Sequence, residues 1–139
     1  MANWLLKTEP SCFSWHDLVK QKSATWDGVA NATALIHIRK MKKGDTAIIY
    51  HTGAERRAVG LAQITSNPYP DPKQNDPRLV VIDLKPKSPL PHPVPLDIIK
   101  ADKAFQGWDL LRISRLSVVP TSDKMFQRLL DLAQTEHDP

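Results

Sequence analysis

Apolar residues occur in short bursts along this chain, separated by polar or proline-rich connections. Trp4-Leu5-Leu6 predicts a first strand over residues 3–8, with Trp4 and Leu6 on one face and Leu5 on the other, stopped by Pro10. Ser14-x-x-Asp17 ahead of Leu18 and Val19 is a capping box, so a short helix should begin there. Thr25 to Val29 is rich in turn formers. Ala34, Leu35, Ile38 and Met41 recur at helical spacing and predict a helix from about Asn31 to Met41. Arg39, Lys40, Lys42 and Lys43 gather at its C-terminal end, where positive charge suits the helix dipole, and Gly44-Asp45 ends it.

The middle of the chain has strand character. Thr46 to Thr52 and Ala58 to Ser66 are apolar runs joined by Gly53-Ala54-Glu55-Arg56-Arg57, a hairpin signal. A polar loop from Asn67 to Pro77 follows, then a run from Arg78 to Leu84. Nine of the 12 prolines lie between Pro68 and Pro95, which predicts strand alternating with stiff connection. Leu96 to Ala101 suggests a short helix, and Phe105 to Leu111 is ambiguous. Leu116 to Val119 reads as a closing strand ended by Pro120. A last helix from Thr121 or Ser122 carries Phe126, Leu129, Leu130 and Ala133 on one face, and Glu136 to Pro139 is expected to fray. Short strands and helices without regular βαβ alternation predict an α+β fold, a small and mostly antiparallel barrel with helices over its openings.

Length and charge narrow the choices. The 139 residues suit one domain spanning 1–139, since two halves would each lack a good core. No apolar run approaches the roughly 18 residues of a membrane span, and no signal-peptide core is evident, so a soluble cytoplasmic protein is expected. Nineteen basic against 15 acidic residues leave a net charge of +4, which permits a nucleic-acid partner without requiring one. Cys12 is the single cysteine, so no internal disulfide or cysteine zinc site can form.

Enzymatic signatures are missing. There is no glycine-rich nucleotide loop, no His-Glu-x-x-His and no nucleophile elbow, and the five histidines lack metal-ligand spacing. No catalysis, metal or cofactor is expected. The remaining candidates are binding groups. Lys7 and Glu9, two apart on a strand, point the same way and flank Thr8; they offer a donor and an acceptor to a polar ring edge, or are an incidental charge pair. Trp26-Asp27-Gly28 puts a rigid indole in a turn beside a glycine that lets another group approach, one wall of a flat slot or a ring tucked under a loop. Asn31 suits a helix cap. Tyr50 and His51 end a β run, where a core tyrosine and an exposed histidine are the simpler reading. Arg112 and Arg115, with Ser117, bring phosphate-type donors to the start of the closing strand.

Taken together, Trp4-Leu5-Leu6-Lys7-Thr8-Glu9-Pro10, Trp26-Asp27-Gly28-Val29, Met41-Lys42-Lys43-Gly44-Asp45 and Tyr50-His51-Thr52 resemble the EVE domain. Val59-Gly60-Leu61-Ala62, Tyr69-Pro70-Asp71-Pro72 and Arg115-Leu116-Ser117-Val118-x-Pro120 continue the likeness in order over nearly the whole chain. The resemblance implies a PUA-like fold related to the YTH readers of methylated adenine, and a partner that is modified DNA or RNA. Carried over by position, Trp26 would be an aromatic wall of a base pocket and Lys7, Thr8 and Glu9 its polar side, with Asp27 and Asn31 nearby. Tyr50, His51, Arg115 and Ser117 would stand around the same cavity. Two features depart from the family pattern: Ala30 and Ala32 flank Asn31 where many members carry an arginine and an aromatic residue, and Thr8 replaces the commoner serine.

The expectation is therefore a non-catalytic module that holds a modified nucleobase. A general nucleic-acid module of PUA-like type, and a binder or enzyme for a nucleobase-like small molecule, are the alternatives. Oligomeric state is left open.

Overall fold

The structure, a computed structural model, describes residues 1–136. The expected frayed tail falls largely on residues 137–139, outside the described residues. In chain order the elements are β1 Asn3–Thr8, α1 Trp15–Gln21, β2 Ala24–Trp26, α2 Ala32–Lys40, β3 Thr46–His51, β4 Arg57–Ile64, β5 Tyr69–Pro70 and β6 Val80–Pro95. Then come α3 Leu96–Ala101, a 3-10 turn Lys103–Phe105, α4 Asp109–Arg112, β7 Val118–Thr121 and α5 Asp123–Leu132.

The strands form one curled, half-barrel sheet in the order β2-β6-β4-β3-β1-β7, with β5 added to β6. Every pairing is antiparallel except β1 with β3. β1 thus lies inside the sheet, and Trp4, Leu5 and Leu6 are all buried rather than divided between core and solvent. A strand with neighbours on both edges and cover on both faces has no wet side, so alternation gives way to a continuous apolar run. Ile38 of α2 lies in the same core as Ile48, Ile64, Ile82, Leu84 and Val118, and Phe105 stacks on Trp108 at 5.3 Å.

The local signals were physically sound. The Ser14 side chain accepts from the Asp17 amide while Asp17 accepts from the Ser14 amide, completing the capping box. Asn31 caps α2 and Ser122 caps α5 through their side chains. The proline-rich stretch differs from expectation, because residues 80–95 form one long strand. Pro89, Pro91, Pro93 and Pro95 lack backbone N–H groups, and the pairing with β4 is broken by a bulge between Pro89, opposite Gly60, and Val94, opposite Ala58. Beyond Leu84 only β4 pairs with β6, which leaves an edge where that loss costs little. Pro120 likewise lies within β7, at the edge of the sheet, rather than ending it.

One close approach fixes α1 against the sheet. The Trp15 ring lies over Gly60 of β4, and a Cβ on that glycine would come within 2.6 Å of the indole. The Trp15 amide also donates to Nε2 of His51 at 3.0 Å. Together these contacts fix the approach to α1, residues 9–14, which forms one side of the site.

Candidate functional site

A cleft of about 840 Å³ opens where the C-terminal end of β1, the segment leading into α1, and the edge strand β2 come together. Its size falls in the range of roughly 300–1,000 Å³ typical of small-molecule and cofactor sites. Trp26 lines it as the last residue of β2, paired with Ile82, rather than as part of a loop. Only 8% of the residue is exposed, so most of the indole is packed and a limited surface faces the cleft. Phe13 meets it edge to face, with ring centroids 6.1 Å apart and planes at 79°. This T-shaped contact aligns the positive edge of one ring with the negative face of the other. Gly28, at φ +75°, has no atom within 4 Å of where a Cβ would stand, so the cleft is open on that side.

The polar side is built by the turn after β1. Lys7, Thr8 and Glu9 all line the cleft, with Asp27 and Ser117. The Lys7 backbone amide donates to the Ser117 carbonyl at 2.9 Å, which ties β1 to the segment entering β7. Its ammonium group donates to the Ser114 carbonyl at 2.9 Å, and burial holds its pKa below the ordinary lysine value. The Thr8 hydroxyl donates to the Phe13 carbonyl at 2.6 Å, closing the turn that brings Phe13 back toward Trp26. Glu9 accepts from the Ser11 amide and hydroxyl at 3.3 and 3.2 Å through a single oxygen, Oε1. Ammonium, hydroxyls and carboxylates around two aromatic rings supply the mixed donors and acceptors that a heterocycle edge needs.

Four expected residues lie elsewhere. Asn31 does not line the cleft; its Oδ1 accepts from the Ala34 amide at 3.0 Å as the cap of α2. Tyr50 is 3% exposed in the core of β3, because a strand covered on both faces buries consecutive residues. His51 is buried too, with Nε2 on the Trp15 amide and Nδ1 bonded to Glu55 Oε1 at 3.0 Å. Its ring is a bracket between α1 and the β3–β4 turn. Arg115 is exposed and outside the cleft lining, although Ser117 two residues on belongs to it. Ala30 and Ala32 border a separate apolar hollow with Leu35 and Ile36.

Sequence reasoning missed Phe13, Lys73 and Asp83, all of which line the cleft. Phe13 had no periodic signal, since its place depends on the Thr8 hydrogen bond. Asp83 Oδ1 accepts from the Thr25 hydroxyl at 2.8 Å and the Tyr69 hydroxyl at 2.6 Å. Tyr69 therefore positions a carboxylate at the cleft. Among the described residues, no group of three His, Cys, Asp or Glu side chains is placed to hold a metal, and no helix is long and apolar enough to cross a membrane.

An α+β half-barrel with short flanking helices and a cleft of this kind is a PUA-like fold. The chain belongs to the EVE domain family, whose model matches residues 2–132. It is 33% identical to thymocyte nuclear protein 1 of Mus musculus, across 96% of this chain and 74% of that protein. A Rhodopseudomonas palustris protein superposes with a TM-score of 0.92 at 34% identity, covering 96% of this chain and 94% of the other. The human THYN1 protein, solved in complex with 5-methylcytosine-containing DNA, superposes with a TM-score of 0.90 at 26% identity, covering 99% of this chain and all of that one. A Zymomonas mobilis ASCH protein, at 13% identity and a TM-score of 0.63, shares the fold.

Proposed function

We propose that this chain is a non-catalytic module that binds nucleic acid by enclosing one modified base, with 5-methylcytosine in DNA the first candidate, in the cleft beside Trp26. The observation that carries the reading is the meeting of Trp26 and Phe13 at a cleft edged by Lys7, Thr8, Glu9 and Ser117. Family membership, and the 5-methylcytosine-containing DNA in complex with the human relative, support the same conclusion. Stacking of one base on an aromatic side chain contributes about 1–3 kcal/mol, and a base drawn from a duplex first loses a few kcal/mol of stacking and pairing. The polar edge must supply the remainder. Its rigid parts, the Thr8 turn and the tethered Lys7, limit the ordering cost on binding.

The test is titration of a single-stranded oligonucleotide carrying one 5-methylcytosine, beside its unmodified twin. Because Trp26 is largely buried, Trp26→Ala would cost about 3–5 kcal/mol of folding stability. Trp26→Leu keeps more apolar volume and removes the π face, so it is the informative variant once circular dichroism shows it folded. At least a tenfold loss of affinity for the modified strand is expected, from about 1.4 kcal/mol or more of lost stacking. Equal affinity of wild type and the folded variant would remove Trp26 from the site.

A further inference from the structure

We infer that the outer side of β2 carries a strand-tracking surface, in which Lys22, Lys73 and Lys85 hold the phosphodiester backbone that flanks the enclosed base. This rests on the base-binding reading and adds the path of the polymer. The cleft is larger than a lone base needs, and it continues past Trp26 to Gln21, Ser23, Thr25, Lys73 and Asp83. Strand alternation puts Thr25 and its partner Asp83 on the face opposite Trp26 and Ile82. The cleft therefore wraps around an edge strand, with an aromatic inner side and a polar outer side.

The charges differ between the two sides. On the inner side the single lysine, Lys7, is tied to Ser114 and faces Glu9 and Asp27. The outer side offers three exposed lysines, Lys22, Lys73 and Lys85, and one carboxylate, Asp83, whose Oδ1 already accepts two hydroxyls. Lys22 lies between Gln21 and Ser23, both of which line the cleft, in the left-handed turn that ends α1. Lys73 lines the cleft itself, on a loop where its amide donates to Asp71 Oδ1 at 2.9 Å. Lys85 shares the strand face of Asp83, two residues along β6. None of these three ammonium groups has a hydrogen-bond or ion-pair partner among the described residues. Free, exposed ammonium groups beside a base-sized cleft suit phosphates, which lysine binds as point charges without base selectivity.

A second cluster, Lys42 and Lys43, provides the control. It lies near Thr46 and Asn3, at the opposite end of β1 and β3 from the cleft. The experiment compares Lys22→Glu/Lys85→Glu with Lys42→Glu/Lys43→Glu, which change net charge equally. Each is titrated with a short single-stranded DNA carrying one 5-methylcytosine, and with free 5-methyl-2′-deoxycytidine. The expected result is a loss of about tenfold or more in strand affinity for the first variant only. Its salt slope should also become shallower by about 0.7 for each phosphate no longer held, with nucleoside affinity unchanged. Equal strand affinity and slope in the two variants would overturn the track. If wild type binds the strand but not the nucleoside, the base pocket fails, while the two variants still decide the lysines.

Discussion

The ring of His51 joins two parts of the chain, accepting the amide proton of Trp15 on Nε2 and bonding Glu55 through Nδ1, both at 3.0 Å. An acceptor at Nε2 places the proton on Nδ1, so the neutral ring donates to the carboxylate. His51→Ala would leave a part-buried amide without its acceptor, costing about 1–3 kcal/mol in urea unfolding. Glu55 responds as well. The hydrogen bond from His51, with the Arg57 guanidinium nearby, holds its carboxyl below the ordinary 4.5, against a smaller opposing effect of burial. The stability from that lowered value is complete above about pH 4.5 and is lost as pH falls through the folded value. The acid limb of the wild-type stability profile should therefore be steeper than that of His51→Ala.

Tyr50 should behave as a core residue. Burial pushes its phenol up to about 12. A raised acid pKa contributes stability that is complete below the ordinary value of 10.0 and is lost as pH rises through about 12. Tyr69 is raised too, chiefly by its hydrogen bond to Asp83. Since these are the two tyrosines of the chain, tyrosinate absorbance should be weak at pH 10 and grow only above it. Tyr50→Phe, a nearly isosteric change in the core, should alter unfolding free energy by less than about 1.5 kcal/mol and leave strand binding intact. A loss of binding in that variant would return Tyr50 to the site.

Asp45 holds one end of the sheet. It is 4% exposed and accepts from the Ala2 amide at 3.1 Å, the Trp4 indole at 3.0 Å and the Lys42 amide at 2.9 Å. Asp45→Ala would strand three donors at once and should cost at least about 3 kcal/mol in denaturant titration. Asp45→Asn, which keeps one acceptor oxygen, should fall between the two.

How far the sequence spoke follows from the range of the interactions involved. Helix ends were legible because Ser14, Asn31 and Ser122 act on amides three residues away. The strand identity of β1 was legible, but not its double cover, because that depends on β3 and β7 arriving from residues 46–51 and 118–121. Lys7, Thr8, Glu9, Trp26, Asp27 and Ser117, all named from the sequence, line one cleft. Asn31, Tyr50 and His51 were placed with them by motif position, yet each serves a cap, a core or a bracket. Phe13 went unnamed because one hydroxyl bond from Thr8 decides where it points.

The Lys7 amide bonded to the Ser117 carbonyl makes the two ends of the chain into neighbouring walls of one cavity, and an Asn3–Asp123 side-chain hydrogen bond at the far end of β1 spans 120 residues. Such a cavity does not exist in a half-assembled chain, so any molecule that occupies it binds only the fully closed protein. By mass action, occupancy at a hundred times Kd adds about 2.7 kcal/mol to global unfolding. Raised melting temperature, read across a panel of bases and strands, thus becomes an assay for the natural ligand that needs no knowledge of its identity.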